Sequence, residues 1–135
     1  MASGAAERFM RTLQETERTR DVEPLVALFA EDAELANLHE PEPLRGRDGA
    51  RRFWQDYLGS FGRIGSVFHH VFEGPAGAAL EWVSDGVLPE GRAFSYRGVT
   101  LLEWEDGLVR RFRAYYDSAA LRPAGAEGSS RDPGR

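Results

Sequence analysis

The chain changes its periodicity once, near Ser66, and that single change limits the architectures open to it. Before Ser66, apolar residues recur at three- and four-residue spacing, the mark of amphipathic helices. After Ser66, long alternating stretches are separated by turn dipeptides. Residues 5–19 read as a helix with Phe9 and Leu13 four apart and a polar second half. Asp21 reads as the N-cap of a short second helix carrying Val22, Leu25, Val26 and Phe29, with Glu23 and Pro24 in its first turn. Asp32 to Asn37 reads as a short strand, and His39 to Arg45, with Pro41 and Pro43, as an extended loop. Asp48 caps a third helix whose Phe53, Trp54, Tyr57 and Leu58 form an apolar stripe. Strands follow at 66–73, 77–84, 92–104 and 108–117, with turns at Gly74-Pro75, Asp85-Gly86 and Asp106-Gly107. The last is a strong hairpin signal. Three helices followed by an antiparallel sheet predict an α+β fold with the helices on one face of a curved sheet, which leaves a concave pocket.

Length and composition exclude several functions. A chain of 135 residues with 41% hydrophobic content fills one domain. The predicted domain is 5–122, with residues 1–4 loose and 123–135, almost free of apolar side chains, disordered. There is no cysteine, so disulfides and zinc–thiolate sites are excluded, which suits a reducing cytoplasmic location. The 17 basic residues are all arginine, which rules out Schiff-base lysine chemistry. A net charge of −5 argues against nucleic acid. The longest apolar run, Leu25 to Ala30, is far short of the ~20 residues a membrane span needs. No phosphate loop, dinucleotide fingerprint or Gly-x-Ser-x-Gly occurs, so no cofactor is expected. No metal site is expected either, because the histidines and acids lack a ligating spacing such as HExxH.

Three segments carry a family resemblance. Residues 21–33 (DVEPLVALFAEDA), 43–49 (PLRGRDG) and 98–117 (GVTLLEWEDGLVRRFRAYYD) resemble the nuclear transport factor 2-like superfamily, and within it the SnoaL-like group. The resemblance runs over roughly residues 7–122. It implies a cone-shaped, cystatin-like roll: three N-terminal helices on a strongly curved, mainly antiparallel sheet around an internal pocket. That scaffold hosts isomerases, cyclases, dehydratases and non-catalytic binders, so fold alone does not assign chemistry. Carried over from ketosteroid isomerase, the general base falls on Asn37 and the oxyanion donors fall near Leu13 and Val99, so all three roles are lost. Carried over from polyketide cyclases, a catalytic aspartate matches Asp117 and a pocket histidine matches Glu103.

Asp117, Glu81 and Glu103 are therefore the candidate acids and bases. Asp117 also suits a plain N-cap before Ser118. Hairpin pairing across Asp106-Gly107 sets Glu103 opposite Arg110 as an alternative ion pair. The family layout points Glu81 into the cone and puts Leu80 and Trp82, with Leu102 and Trp104, on an outer, dimer-forming face. Tyr96, Arg97 and one of His69 and His70 would orient the acids. Asn37, His39, Trp54, Tyr57, Phe112 and Tyr116 complete the expected ligand-binding set. These residues describe a cofactor-free acid–base enzyme acting on an apolar, carbonyl-bearing small molecule as isomerase, cyclase or dehydratase. The alternative is a non-catalytic small-molecule binder or a dimeric interaction protein.

Overall fold

The computed structural model describes residues 4–39 and 42–121, so the expected disordered tail at 123–135 lies outside the described residues. Helix α1 (Gly4–Thr19) buries Ala6, Phe9, Leu13, Thr16 and Glu17, one stripe at three- and four-residue spacing. Helix α2 (Glu23–Val26) is a single turn, and the Asp21 carboxylate accepts the Glu23 N–H at 3.1 Å. It ends before Phe29 because that residue, fully buried, already pairs with Val109. Strand β1 (Phe29–Asn37) therefore starts three residues before the predicted one.

Part of the predicted loop after His39 forms strand β2 (Leu44–Arg45), paired with Glu34 and Leu35. Helix α3 (Gly46–Gly59) begins two residues before the predicted Asp48 cap. Gly46 takes φ +74, where glycine is favoured, and Asp48 instead pairs with Arg51 in the first turn. Strands β3 (Arg63–Glu73), β4 (Gly77–Val87), β5 (Ala93–Glu105) and β6 (Leu108–Tyr116) complete the sheet. Asp106 and Gly107, at φ +56 and +81, make the predicted hairpin turn between β5 and β6. Asp85-Gly86 is not a turn. Strand β4 runs through it, because Gly86 lies close under β3, where a Cβ would sit 1.9 Å from the Arg63 carbonyl oxygen. The chain reverses instead at Leu88–Arg92, with Gly91 at φ +100.

The six-stranded sheet has the order β2-β1-β6-β5-β4-β3 and is antiparallel except where β1 runs parallel to β6. The fold is thus α+β, three helices on a curved mixed sheet, as the sequence predicts. Two apolar clusters fill it. One joins Phe9, Leu25, Phe29, Phe53, Trp54, Leu80, Leu102 and Phe112; the other joins Phe61, Ile64, Trp82, Leu88, Phe94 and Tyr96. Leu80, Trp82 and Leu102 face the helices rather than an outer surface, and Trp104 is half-buried with its indole N–H bound to the Pro75 carbonyl. Alternation separated the two faces of β4 correctly, but the family layout assigned them the wrong way round.

Candidate functional site

A cavity of about 390 Å³ touches residues of both clusters. Its apolar wall comes from α1, α3, the inner face of the sheet and the turns after α3 and β4: Leu13, Phe53, Trp54, Phe61, Phe68, Trp82, Leu88 and Phe112. Its polar wall is a row of hydroxyls, Tyr57, Ser66, Ser84, Tyr96 and Thr100, with the exposed Asp56 and Ser60 at the end of α3. Asn37, His39 and Tyr116 line it too. The His39 and Tyr116 rings lie 5.7 Å apart, and the Asn37 side-chain oxygen accepts the His39 N–H at 2.8 Å.

Behind the hydroxyls sits Glu17, only 5% exposed. Phe9, Leu13 and Glu17 succeed one another four residues apart, so the core-facing stripe of α1 carries Glu17 inward. One of its oxygens accepts the Ser66 backbone N–H at 2.9 Å; the other accepts the Ser66 and Tyr57 hydroxyls, each at 2.6 Å. The Ser66 and Ser84 hydroxyl oxygens are 2.5 Å apart. Burial raises the Glu17 carboxyl above its ordinary value, and the hydrogen bonds from Ser66 and Tyr57 oppose that rise without cancelling it. No arginine or histidine hydrogen-bonds or ion-pairs with Glu17 among the described residues. Tyr57 is pushed well above its usual value, first by burial and then by the neighbouring Glu17 charge. Burial raises Tyr96 as well. Thr100 accepts the Trp82 indole N–H at 2.9 Å, which fixes that ring across the floor.

Of the residues singled out from the sequence, Asn37, His39, Trp54, Tyr57, Tyr96, Phe112 and Tyr116 meet on this cavity. The remaining six lie outside it. Glu81 points away from the cone, opposite to the orientation expected from the sequence, and bonds the exposed His70 ring at 2.7 Å. His69 is exposed in the irregularity between Phe68 and His70. Arg97 is exposed on β5. Glu103 faces Arg111 and Arg113 at 3.4 and 3.2 Å, not Arg110, because a register shift after Glu103 displaces the hairpin pairing. Arg110 instead binds Glu105 and Asp32. Asp117 accepts the Ala119 N–H at 3.1 Å and so caps the 3-10 turn Ser118–Leu121, whose Leu121 lines the cavity. Sequence reasoning missed Glu17, Ser66, Ser84 and Thr100. The signal available for Glu17 was its place on the Phe9–Leu13 stripe.

Among the described residues no group of three or more histidines and acids is placed to hold a metal ion. No described helix is long and apolar enough to cross a membrane.

Helices on a curved sheet with a central cavity lined by aromatic rings and hydroxyls define the class of this fold, an α+β roll with an internal pocket. The chain belongs to the SnoaL-like domain family, which matches residues 6–112. No curated protein matches the chain. Among solved structures, a nuclear transport factor 2-like protein from Anabaena variabilis superposes with a TM-score of 0.80 at 15% identity, covering 88% of this chain and 91% of that one. A candidate SnoaL-like polyketide cyclase from Jannaschia gives 0.74 at 18% identity, covering 88% and 89%. TerC, co-crystallised with polyporic acid, gives 0.74 at 15% identity, covering 87% and 94%. At these identities the likeness concerns the fold alone.

Proposed function

We propose that this protein is a cofactor-free acid–base enzyme that isomerises, cyclises or dehydrates a neutral, apolar, carbonyl-bearing small molecule inside the central cavity. The observation that carries this reading is Glu17, a carboxyl buried without a cationic partner directly behind the cavity's hydroxyl wall. A carboxyl raised by burial is a stronger proton acceptor when ionised, and pocket hydroxyls can stabilise an enolate oxygen. The ligand contacts are Asn37, His39, Trp54, Tyr57, Tyr96, Phe112 and Tyr116. The aromatic walls suit a flat ligand, and among the described residues no arginine lines the cavity to pair with an anionic one. TerC, a fold neighbour crystallised with polyporic acid, supports the idea of an organic molecule in such a cone.

The test is α-hydrogen exchange of 2-tetralone in deuterated water, followed by NMR. The native chain is expected to accelerate exchange over buffer, and Glu17→Gln to lose about 100-fold of that rate. Glu81→Gln, Glu103→Gln and Asp117→Asn in the same assay read the outer carboxylates. Rates within about twofold of native place the chemistry at Glu17, whereas a collapse in Asp117→Asn returns it to the rim. No acceleration by the native chain favours the non-catalytic binder.

The protein is further proposed to form a homodimer through the outer face of the sheet. That face carries Val67, Phe72 and Tyr115, which are 56%, 71% and 48% exposed, with the half-buried Val83, Val99 and Leu101 between them. Sedimentation is expected to give twice the chain mass for the native protein and a single mass for Phe72→Glu with Leu101→Glu. A native monomer at micromolar concentration removes this part of the proposal.

A further inference from the structure

Hydrogen counting around Glu17 fixes what the Tyr57, Ser66 and Ser84 side of the cavity can offer a ligand. When Glu17 is ionised, both hydroxyls that reach it must donate: Ser66 O–H and Tyr57 O–H each point at the carboxylate. The single Ser66 hydrogen is then committed, so the 2.5 Å contact with Ser84 is a Ser84 O–H donating to Ser66. All three hydroxyl hydrogens point away from the cavity, and Ser84 and Tyr57 show it only lone pairs. Adding one proton to the carboxyl reverses this. The new O–H donates to Tyr57 or to Ser66. In the first case the Tyr57 hydrogen is freed towards the cavity. In the second, Ser66 donates to Ser84 and the Ser84 hydrogen is freed. One proton enters, one donor appears, and no other group changes charge.

We propose that Glu17 is the positioning residue that sets the hydrogen-bond polarity of the pocket wall formed by Tyr57 and Ser84: ionised, that wall favours hydroxyl-bearing ligands; protonated, it favours carbonyl-bearing ones. This rests on the acid–base reading above and adds a specificity device: the charge on Glu17 decides whether Tyr57 and Ser84 accept from a ligand or donate to it. The groups facing Glu17 leave it free to play this role. They are Tyr57 from α3, Ser66 from β3 and, at longer range, Tyr96 from β5, all neutral hydroxyls. On its own helix Arg18 pairs with Glu15 at the surface. Just after the helix, Arg20 is held by the Leu58 and Phe61 carbonyls. Burial keeps the carboxyl's titration above the ordinary range, nearer to working pH.

The experiment titrates the Glu17 side-chain carboxyl by carbon-13 NMR in the full chain. It is done alone, with 2-acetonaphthone (an acceptor only) and with 2-naphthol (a donor), and tryptophan fluorescence reports binding. The acceptor probe is expected to move the midpoint up and the donor probe down, each by about one pH unit, a tenfold preference for one ionisation state. Affinity of the native chain for 2-acetonaphthone then falls about tenfold in all across the midpoint and is flat above it. Glu17→Gln, whose amide donates permanently to the same hydroxyls, binds 2-acetonaphthone with no pH dependence between pH 5 and 8. Shifts in the same direction, no shift on binding, or failure of both probes to bind overturn the proposal. The titration requires no turnover. Opposite shifts without 2-tetralone exchange keep the switch and remove the enzymatic reading; exchange without opposite shifts does the reverse.

Discussion

Gly98→Ala is expected to unfold about 10 °C below the native chain in a thermal melt followed by circular dichroism. Gly98 lies mid-sheet on β5, paired with Trp82 on one side and Tyr116 on the other. A Cβ there would sit 2.3 Å from the Tyr115 carbonyl oxygen, 2.7 Å from the Trp82 ring and 2.8 Å from the Tyr116 Cβ. Two of these neighbours belong to the adjacent strand and cannot swing aside. The methyl must therefore separate β5 from β6 or push the indole into the cavity, an overpacking cost of about 3 kcal/mol. Because Trp82 and Tyr116 both line the cavity, ligand affinity should fall along with stability. Gly65→Ala is the control: nothing lies within 4 Å of its added Cβ, and its melt should stay within about 2 °C of native. A native-like melt for Gly98→Ala would mean that the strands are not held this closely in solution.

Phe112→Ala should lose about 3–5 kcal/mol of unfolding free energy in guanidinium titration. Phe112 is 3% exposed, and its ring centroid lies 6.0 Å from Phe9, 6.4 Å from Phe29, 5.3 Å from Phe53 and 5.1 Å from Trp54. Four rings from two helices and β1 thus share this one neighbour on β6, and its removal leaves a void that none of them can fill without leaving the others. Phe112 also lines the ligand cavity, so the void opens into it. The variant is therefore expected to bind a bulkier ketone than 2-acetonaphthone in preference to 2-acetonaphthone itself. Phe112→Leu, which keeps most of the volume, should lose about 1 kcal/mol and retain the native preference. A loss below about 1 kcal/mol for Phe112→Ala would show that the core collapses around the gap.

Much of the framework is local chemistry and was legible. The Asp106-Gly107 turn needs only its own two residues in left-handed conformation, and Phe9 and Leu13 define a helical face by spacing alone. The seven cavity residues recognised in advance were large or polar groups on elements whose inward face is set by a helical stripe or by family layout. Errors arose where a local signal met a longer-range contact. Asp85-Gly86 has turn chemistry, yet the close passage of β3 makes Gly86 a strand residue. Glu103 has a pairing partner by counting, yet the register shift moves it by one.

By itself the sequence determined the α+β class, the run of four strands after the third helix, the closing hairpin and the family, because each follows from periodicity, turn chemistry or motif within a short window. Only the tertiary structure decided which side of β4 faces the helices. Alternation is symmetric between the two faces, and burial of Leu80, Trp82 and Ser84 inside the cone breaks that symmetry, sending Glu81 to the surface. The tertiary structure also gave Glu17 its buried setting. On the chain it is one glutamate in a polar half-helix. Its raised carboxyl exists only once Tyr57, Ser66 and Ser84, from three separate elements, close around it and exclude water.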